Sequence, residues 1–597
     1  MTFAVQEWTE LRERYFIDRY ALHGSDGVLL EEAPYQMWKR IADTLAMSRQ
    51  ETEEFYWALE DFKFVPAGRI LSGAGAAQKV TYYNCFVIGV GVPGSPDGRD
   101  SRGGIISTTQ RMIEITARGG GVGVNWGTLR PSGSYIRGVN SHSSGAVAWM
   151  SGIDHMVDKI RQGGTRTAAL MYCLPDWHPD VIEFIKHSFL RANHSVLVSN
   201  TFMYAVEKDL PWRFLFPDTS DPDYDRLWNG DLSGWIELGK RVIEHGTMPA
   251  RDLWDQMAQY ACHTGNPGCL WIDRAQQASN TKYFERYTST NPCGEQWLPD
   301  DGCCNLGALN LVAFWDPEMR DLDWEELARV TRTAVSMLDR IIDLSPDIDY
   351  STGTLQRAVR RVGLGTMGLA DLLILKGLRY GSPAALNWIH RIYAFIRDEA
   401  YYWSAELARI FGPAPAYDER FLQGEFVKEL PIFVRGRIQE HGIRNLTLTN
   451  QAPTGTISLV AGVSSGIEPI FSSSYMVNDN ATGQGSIKVV HPLFRDRLGE
   501  EHVIANDVTP EEHIMVQATV QRYLDNAISK TINMPAGTSW QEVQRCYGLA
   551  YSLGCKGITI YVDGSREGAL FTHSEIDTVP ADDLGFDAAC ATGTCSI

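Results

Sequence analysis

The sequence predicts an α/β protein behind a helical N-terminal region, and two observations carry that reading. Between about residues 60 and 200, short apolar runs such as Asn84-Cys85-Phe86-Val87-Ile88 and Ser195-Val196-Leu197-Val198 alternate with glycine-rich turns and helix-like segments, as strand–helix units do. Residues 5–60 instead collect Glu, Arg, Leu, Trp and Tyr at helical spacing, with Trp38, Ile41 and Leu45 along one stripe. A stretch rich in Asp, Pro, Trp and Gly at 208–236 reads as a long surface excursion, after which helices resume near Trp254. Further strands are expected around 446–460 and 557–562, separated by amphipathic helices such as 354–376 and 388–411. The chain therefore divides into a helical region 1–60, an α/β body 61–580 and a tail 581–597, whose Pro, Asp, Gly and small residues predict mobility.

Of the 597 residues, 44% are hydrophobic and 21% charged, which excludes disordered, collagen-like and coiled-coil chains. The formal charge of −19 disfavours coating nucleic acid or lying on an anionic membrane. No apolar run approaches a membrane span, and Glu7, Glu10, Arg12, Glu13 and Arg14 interrupt any signal-peptide core; the expected location is the cytoplasm. Eleven scattered cysteines do not make a disulfide scaffold. Cys173, Cys262, Cys269, Cys546 and Cys555 sit in apolar or helical surroundings and read as packing residues. Cys85, Cys293, Cys303, Cys304, Cys590 and Cys595 lie beside Asn, Gly or Pro, or near the C-terminus, and chemistry is sought there.

Two runs match the Gly-x-Gly-x-x-Gly pattern of dinucleotide folds. Gly89 to Gly94 follows a strand-like run but leads into Ser95-Pro96-Asp97-Gly98 with no helix to receive a pyrophosphate. Gly363 to Gly368 reads as the opening of a helix, yet it follows Arg360-Arg361 and has no acidic residue near twenty positions on for a ribose. A dehydrogenase is disfavoured on both counts. A better phosphate candidate is Leu446 to Ser458, where an alternating strand runs into Pro453-Thr454-Gly455-Thr456 and supplies hydroxyls and free amides at a turn or helix start; an ordinary turn is the alternative.

The sharpest feature is Asn291-Pro292-Cys293-Gly294-Glu295. Pro292 and Gly294 oppose a helix, so the segment is expected to be a loop or extended finger. In extended geometry Asn291, Cys293 and Glu295 would share one edge at roughly 6.6 Å intervals, a spacing suited to a sugar-sized ligand. Cys303-Cys304-Asn305-Leu306-Gly307 follows shortly after, and Asn84-Cys85-Phe86 lies far upstream. Zinc is a poor alternative, because these cysteines lack Cys-x-x-Cys spacing and no histidine cluster follows.

With these motifs the chain resembles the ribonucleotide reductase catalytic subunit, specifically the adenosylcobalamin-dependent class II enzymes. The resemblance runs from about residue 60 to 570 and includes Asn84-Cys85-Phe86-Val87, Arg118 to Asn125, Thr290 to Glu295, Cys304 to Gly307, Arg361 to Leu373, Pro453 to Leu459, Gly462 to Pro469 and Lys556 to Arg566. It implies a ten-stranded α/β barrel whose central finger loop carries Cys293 as the thiyl-radical residue. It also implies Glu295 as base at the substrate 3′-hydroxyl, Asn291 as an orienting hydrogen-bond donor, and Cys85 with Cys304 as the pair that supplies two electrons and becomes a disulfide. Thr454, Gly455, Thr456 and Ser458 would bind substrate phosphates. Arg137, in the first specificity loop, Asp154, on the effector helix, and Arg166, in the second loop, would serve a deoxynucleotide or ATP effector. Arg166 stands alone between threonines, where the family has adjacent basic residues. Cys590 and Cys595 would form a redox tail that passes electrons from a thioredoxin-like reductant. No metal ligands are assigned and Cys303 receives no role. Monomer and homodimer are both open, and a diphosphate substrate is expected with triphosphate as the alternative.

Three rivals are weighed. A class I large subunit would use a partner radical subunit and a relay ending in two adjacent tyrosines, whereas here Tyr561 is followed by Val562. A class III enzyme typically lacks the glutamate that stands at position 295. A non-catalytic nucleotide sensor would need none of these thiols.

Overall fold

The computed structural model describes residues 8–24, 26–77, 80–91, 98–159, 169–479, 485–494, 499 and 501–565. Three helices, Glu10–Arg19, Pro34–Leu45 and Arg49–Leu59, open the chain. Met37, Trp38, Ile41, Ala42 and Leu45 form the buried face of the second, at the spacing of an amphipathic helix. These helices share one apolar core with Leu309, Leu338, Leu364 and Ile389 of the α/β body, so they are built onto it.

Ten strands make the main sheet: β1 Phe64–Pro66, β2 Cys85–Val87, β3 Gly121–Asn125, β4 Leu170–Pro175, β5 Ala192–Val198, β6 Gly268–Trp271, β7 Gly302–Asn310, β8 Val362–Met367, β9 Thr531–Met534 and β10 Gly557–Val562. Strands β2 to β6 run parallel as neighbours. An antiparallel seam joins β6 to β10, which lies parallel to β9. At the other seam β2 pairs antiparallel with β7, which lies parallel to β8 and also carries β1 on its edge. The ladder is open between β8 and β9, and segment 447–451 spans the gap through single bridges, Leu364 with Thr449 and Gln451 with Ile528. Buried charge supplements the ladder there. The Asp525 carboxylate accepts the N–H groups of Leu448 and Thr449 at 2.6 and 3.1 Å, and Lys556 Nζ donates to the carbonyls of Asp525 and Asn526. Desolvation lowers the Lys556 pKa to about 8 and raises that of Asp525.

Alternation along the strands sorts side chains between two layers. Leu170, Tyr172, Leu174, Val196, Val198, Cys269 and Trp271 pack outward in the core shared with helices such as Ala250–Thr264 and Trp540–Ser552. Met171, Cys173, Leu197 and Leu270 point inward and meet Trp297. The interior is filled by a hairpin, Ser289–Thr290 paired with Trp297–Leu298. Glycine on β3 makes room for it: a Cβ at Gly123 would fall 1.8 Å from the Thr290 carbonyl oxygen, and one at Gly121 2.9 Å from Pro292 Cγ.

Three expectations are corrected. Residues 354–376 are not one helix: helix Tyr350–Val359 ends with Arg360 in the left-handed region, β8 follows, and helix Leu369–Lys376 begins only after Gly368. The second Gly-x-Gly-x-x-Gly run is thus mainly strand. The 446–460 stretch is extended only to 451 and then becomes helix Gly455–Ala461. The excursion at 208–236 is ordered, with strand Pro211–Pro217 paired to Val242–Pro249 and its own core of Phe216, Tyr224, Trp228, Leu232 and Trp235.

Candidate active site

The finger tip is a turn, which corrects the extended reading of Asn291 to Glu295. Gly294 N–H donates to the Asn291 carbonyl at 3.0 Å, and Gly294 has φ +79°. Asn, Pro and Gly at the first, second and fourth positions are the residues that a type I turn favours, so the spelling encodes the bend that carries Cys293 at its third position. The Asn291 side chain closes the loop by accepting Gln296 N–H at 2.9 Å. The returning arm is pinned to the wall: Asn526 accepts Trp297 N–H at 2.7 Å, Asn450 Nδ2 donates to Gln296 Oε1 at 2.8 Å, and Ala527 N–H donates to the Glu295 carbonyl at 3.0 Å.

Around this tip the structure brings together the five residues singled out from the sequence. Cys85 on β2 and Cys304 on β7 are directly opposed cross-strand partners, and both are free thiols. Opposed residues on antiparallel strands have Cα atoms about 4.5–5.5 Å apart, within the span that a disulfide bridges. Asn291 Nδ2 donates to Cys85 Sγ at 3.2 Å, and Cys85 Sγ approaches Glu295 Oε1 at 3.6 Å. Asn291, Glu295, Cys85 and Cys304 are all fully buried.

Burial sets the protonation states. Desolvation raises the Glu295 pKa to about 7, against hydrogen bonds from Asn291 and Cys85 that favour the carboxylate. The glutamate is therefore poised near neutrality and not fully ionised as its ordinary pKa would have it. Its Oε2 has no hydrogen-bond partner among the described residues. Cys85 and Cys304 are pushed well up by desolvation, and Cys293 by desolvation and by Glu295. All three are held as neutral thiols at pH 7.

Cys293 is partly exposed and lines a cleft of about 50 Å³ with Asn193, Ser195, Asn266, Lys530 and Thr559. Just beyond the segment that spans the sheet gap, Thr454 (φ +60°) stands at the N-cap of helix Gly455–Ala461, and its Oγ1 accepts Gly466 N–H at 2.7 Å. The N–H groups of the first helical turn precede the intrahelical acceptors. Ser458 faces inward: its hydroxyl donates to the Gly455 carbonyl at 2.8 Å and pairs with Ser465. Asp154 is also buried, and its carboxylate is taken up by the N–H groups of Leu190, Arg191 and Ala192; it anchors the start of β5. Arg137 lies on a short exposed hairpin and donates to the Thr219 carbonyl at 3.1 Å. Arg166, Cys590 and Cys595 lie outside the described residues. Cys303 is buried opposite Phe86.

The residues missed in the sequence are those that hold the finger, Gln296, Asn450 and Asn526. The signal was a run of uncharged polar residues, Thr447, Thr449, Asn450 and Gln451, in a strand too buried to leave them unpaired.

A neutral thiol on a hairpin tip, two opposed thiols and a buried carboxylate form one constellation inside an α/β sheet, and the chain's likeness to known families agrees with it. Residues 83–561 match the family model described as ribonucleotide reductase, barrel domain, and residues 8–79 the one described as ribonucleotide reductase, all-alpha domain. The chain belongs to the ribonucleotide reductase family. A vitamin B12-dependent ribonucleoside-diphosphate reductase of Thermoplasma acidophilum is 31% identical over 589 residues, covering 91% of this chain and 71% of that protein. One of the same description from Mycobacterium tuberculosis is 30% identical over 634 residues, covering 98% and 82%. A ribonucleoside-diphosphate reductase large chain of Cryptosporidium parvum is 30% identical over 497 residues, covering 76% of this chain and 60% of that one. Among the ribonucleotide reductase features, the helical region and the large α/β sheet with its finger are thus both present here.

Proposed function

We propose that the protein reduces ribonucleoside diphosphates to 2′-deoxyribonucleotides as a class II, adenosylcobalamin-dependent ribonucleotide reductase. The observation that carries this reading is the convergence of Cys85, Cys304, Asn291 and Glu295 around the fingertip that presents Cys293. The names of the Thermoplasma and Mycobacterium relatives support both the cofactor and the diphosphate. Asn193, Ser195, Asn266 and Thr559 beside Cys293 carry the amides and hydroxyls that would hydrogen-bond a ribose or a base, so the lining suits the nucleoside part of that cofactor in donor type, while the cleft of about 50 Å³ would have to widen to admit it. When bound, the cofactor would supply the radical chemistry by which the Cys293 thiol becomes a thiyl.

The chain's own residues do the rest. The Cys293 thiyl takes the substrate 3′-hydrogen, and Glu295 Oε2 accepts the 3′-hydroxyl proton. Asn291 holds both the carboxylate and Cys85 in register. The 2′-hydroxyl leaves as water, Cys85 and Cys304 give two electrons and two protons as their sulfurs join, and Cys293 returns its hydrogen atom to C3′, which restores the thiyl. Thr454, Gly455 and Thr456 receive the phosphates, while Ser458 stiffens the helix that carries them. Arg137 and Arg166 remain the residues proposed to face a nucleotide effector, and Asp154, on the proposed effector helix, anchors the start of β5. No helix among the described residues is long and apolar enough to cross a membrane.

An anaerobic assay with a ribonucleoside diphosphate and a dithiol, with and without adenosylcobalamin, tests the proposal. Product is expected only with the cofactor, and a single turnover without reductant is expected to leave Cys85 and Cys304 protected from alkylation. Cofactor-independent product would overturn the class II reading.

Cys590 and Cys595 are proposed to re-reduce that disulfide, because exchange requires direct attack of a thiolate on sulfur and both inner cysteines are fully buried. Replacing both tail cysteines with serine is expected to preserve one turnover of pre-reduced enzyme and to stop multiple turnover with a thioredoxin-like protein. A small dithiol should restore part of the rate. Undiminished multiple turnover with the protein reductant would refute the shuttle.

A further inference from the structure

We infer that Arg361 polarises the Cys85–Cys304 pair, so that its disulfide opens in one direction, with Cys85 taking the incoming thiolate and Cys304 leaving as one. The inference rests on the proposal that these two thiols become a disulfide in turnover. Arg361 immediately precedes β8, whose first residue, Val362, is the parallel partner of Asn305 on β7. Cys304 is the residue before Asn305, so Arg361 stands beside it on the neighbouring strand, at a backbone spacing of about 4.8 Å. Its side chain runs inward, where Nη2 pairs with Glu285 Oε1 on the segment that leads into the finger. The guanidinium is fully buried, yet Nε and Nη1 have no hydrogen-bond partner among the described residues. A buried cation with N–H groups left over is not what packing alone favours.

The two sulfurs meet different surroundings. Desolvation dominates at both, and after it Cys85 is governed by Glu295, whose Oε1 lies 3.6 Å from its sulfur and opposes negative charge there. At Cys304 the leading charged group is Arg361, which favours the thiolate, while Cys303, Glu295 and Asp525 oppose it more weakly. With both thiols neutral at rest, this asymmetry acts only while a sulfur carries charge, which is when the disulfide is opened. In that step the thiolate of an external dithiol attacks Cys85 Sγ, the S–S bond breaks, and its electron pair stays on Cys304. The second thiol of the dithiol then displaces Cys85 and closes a disulfide of its own. The dithiol loses two electrons and two protons, which end on Cys85 and Cys304. Exchange is faster when the leaving thiolate is more stable, so a cation beside Cys304 offsets the penalty that burial puts on it. Arg361 is thus a positioning and electrostatic residue for re-reduction, outside the ribose chemistry.

The test uses the full-length chain with Cys590→Ser and Cys595→Ser, its inner pair oxidised by diamide and then reduced anaerobically by dithiothreitol. Alkylation after an acid quench and peptide mass spectrometry follow Cys85 and Cys304 separately. Arg361→Met is expected to slow reduction about tenfold and Arg361→Lys less than about threefold. Glu285→Gln, which removes the carboxylate that competes for the cation, should be no slower than the parent. The equilibrium against the dithiothreitol couple should stay within about twofold in all of them, because both end states are uncharged at pH 7. Reduction of the parent by 2-mercaptoethanol should place the trapped adduct on Cys85. An adduct on Cys304, or an Arg361→Met variant that is reduced at the parent rate, would overturn the inference. So would Arg361→Met and Glu285→Gln slowing the reaction alike with a shifted equilibrium, the mark of a merely structural ion pair. If Arg361→Met does not fold, a Glu285→Gln rate below the parent's overturns it equally. A parent whose inner pair cannot be oxidised to a disulfide at all would instead remove the thiol pair from the proposed reaction.

Discussion

Replacing Cys293 with alanine is expected to lower steady-state deoxynucleotide formation more than about a hundredfold, about 2.7 kcal/mol or more of transition-state stabilisation, while ribonucleotide affinity stays within about twofold. The reasoning is architectural. The turn that presents the thiol is closed by Gly294 N–H to the Asn291 carbonyl and by Gln296 N–H to the Asn291 side chain. Its return arm is held by Asn526 and Asn450. None of these bonds uses the Cys293 sulfur, so the alanine variant should keep the finger in place. The turn at Thr454 to Thr456, proposed to receive the phosphates, is carried by a different element, so binding and chemistry should separate. Turnover by product chromatography and affinity by equilibrium binding check the two halves. Residual activity above about a hundredth of wild type would remove Cys293 from the radical role.

How far the site was legible in the sequence depends on whether the physics involved was local. Trp38, Ile41 and Leu45 announced their helix because amphipathic spacing is a property of one segment. Cys85, Asn291, Cys293, Glu295 and Cys304 stood out by residue type, yet their meeting depends on the register that sets Cys85 across from Cys304, which no local pattern contains. The bend at Asn291 to Gly294 was in the spelling, since Asn, Pro and Gly occupy turn-favouring positions, and reading it as extended gave the side chains a common edge they do not share. Gly363 to Gly368 misled in the opposite way: its glycines line a strand against Asn450, and only that neighbour distinguishes it from a helix start. Ser458 and Asp154 are types that suit phosphate and ribose, but their atoms are engaged by Gly455 and Ser465 and by three backbone amides. Desolvation of Glu295 is likewise a tertiary effect. Its ordinary pKa described an ionised base, whereas enclosure by the sheet moves it to about 7.

That enclosure sets the second large effect, which is expected in Glu295→Gln. Glutamine matches the shape of the protonated glutamate and cannot accept the 3′-hydroxyl proton, so turnover should fall about 10²- to 10⁴-fold. In the wild-type enzyme kcat/KM should rise with pH along an acid limb centred near 7, because only the ionised form is a base. Stability should run the other way. The folded pKa, about 7, lies above the ordinary value of 4.5, so between these values the folded chain binds more of this proton than the unfolded one. The stabilisation is fully present below pH 4.5, declines as pH rises through about 7, and is lost above it, a difference of about 3 kcal/mol from this group. The glutamine variant has no such proton to lose. Denaturant unfolding at pH 5 and pH 8 should therefore find the two proteins similar at the lower pH and the variant more stable at the higher one. A stability difference that does not change between pH 5 and pH 8 would show that the carboxyl titrates at its ordinary value, and would leave the poised base without its physical foundation.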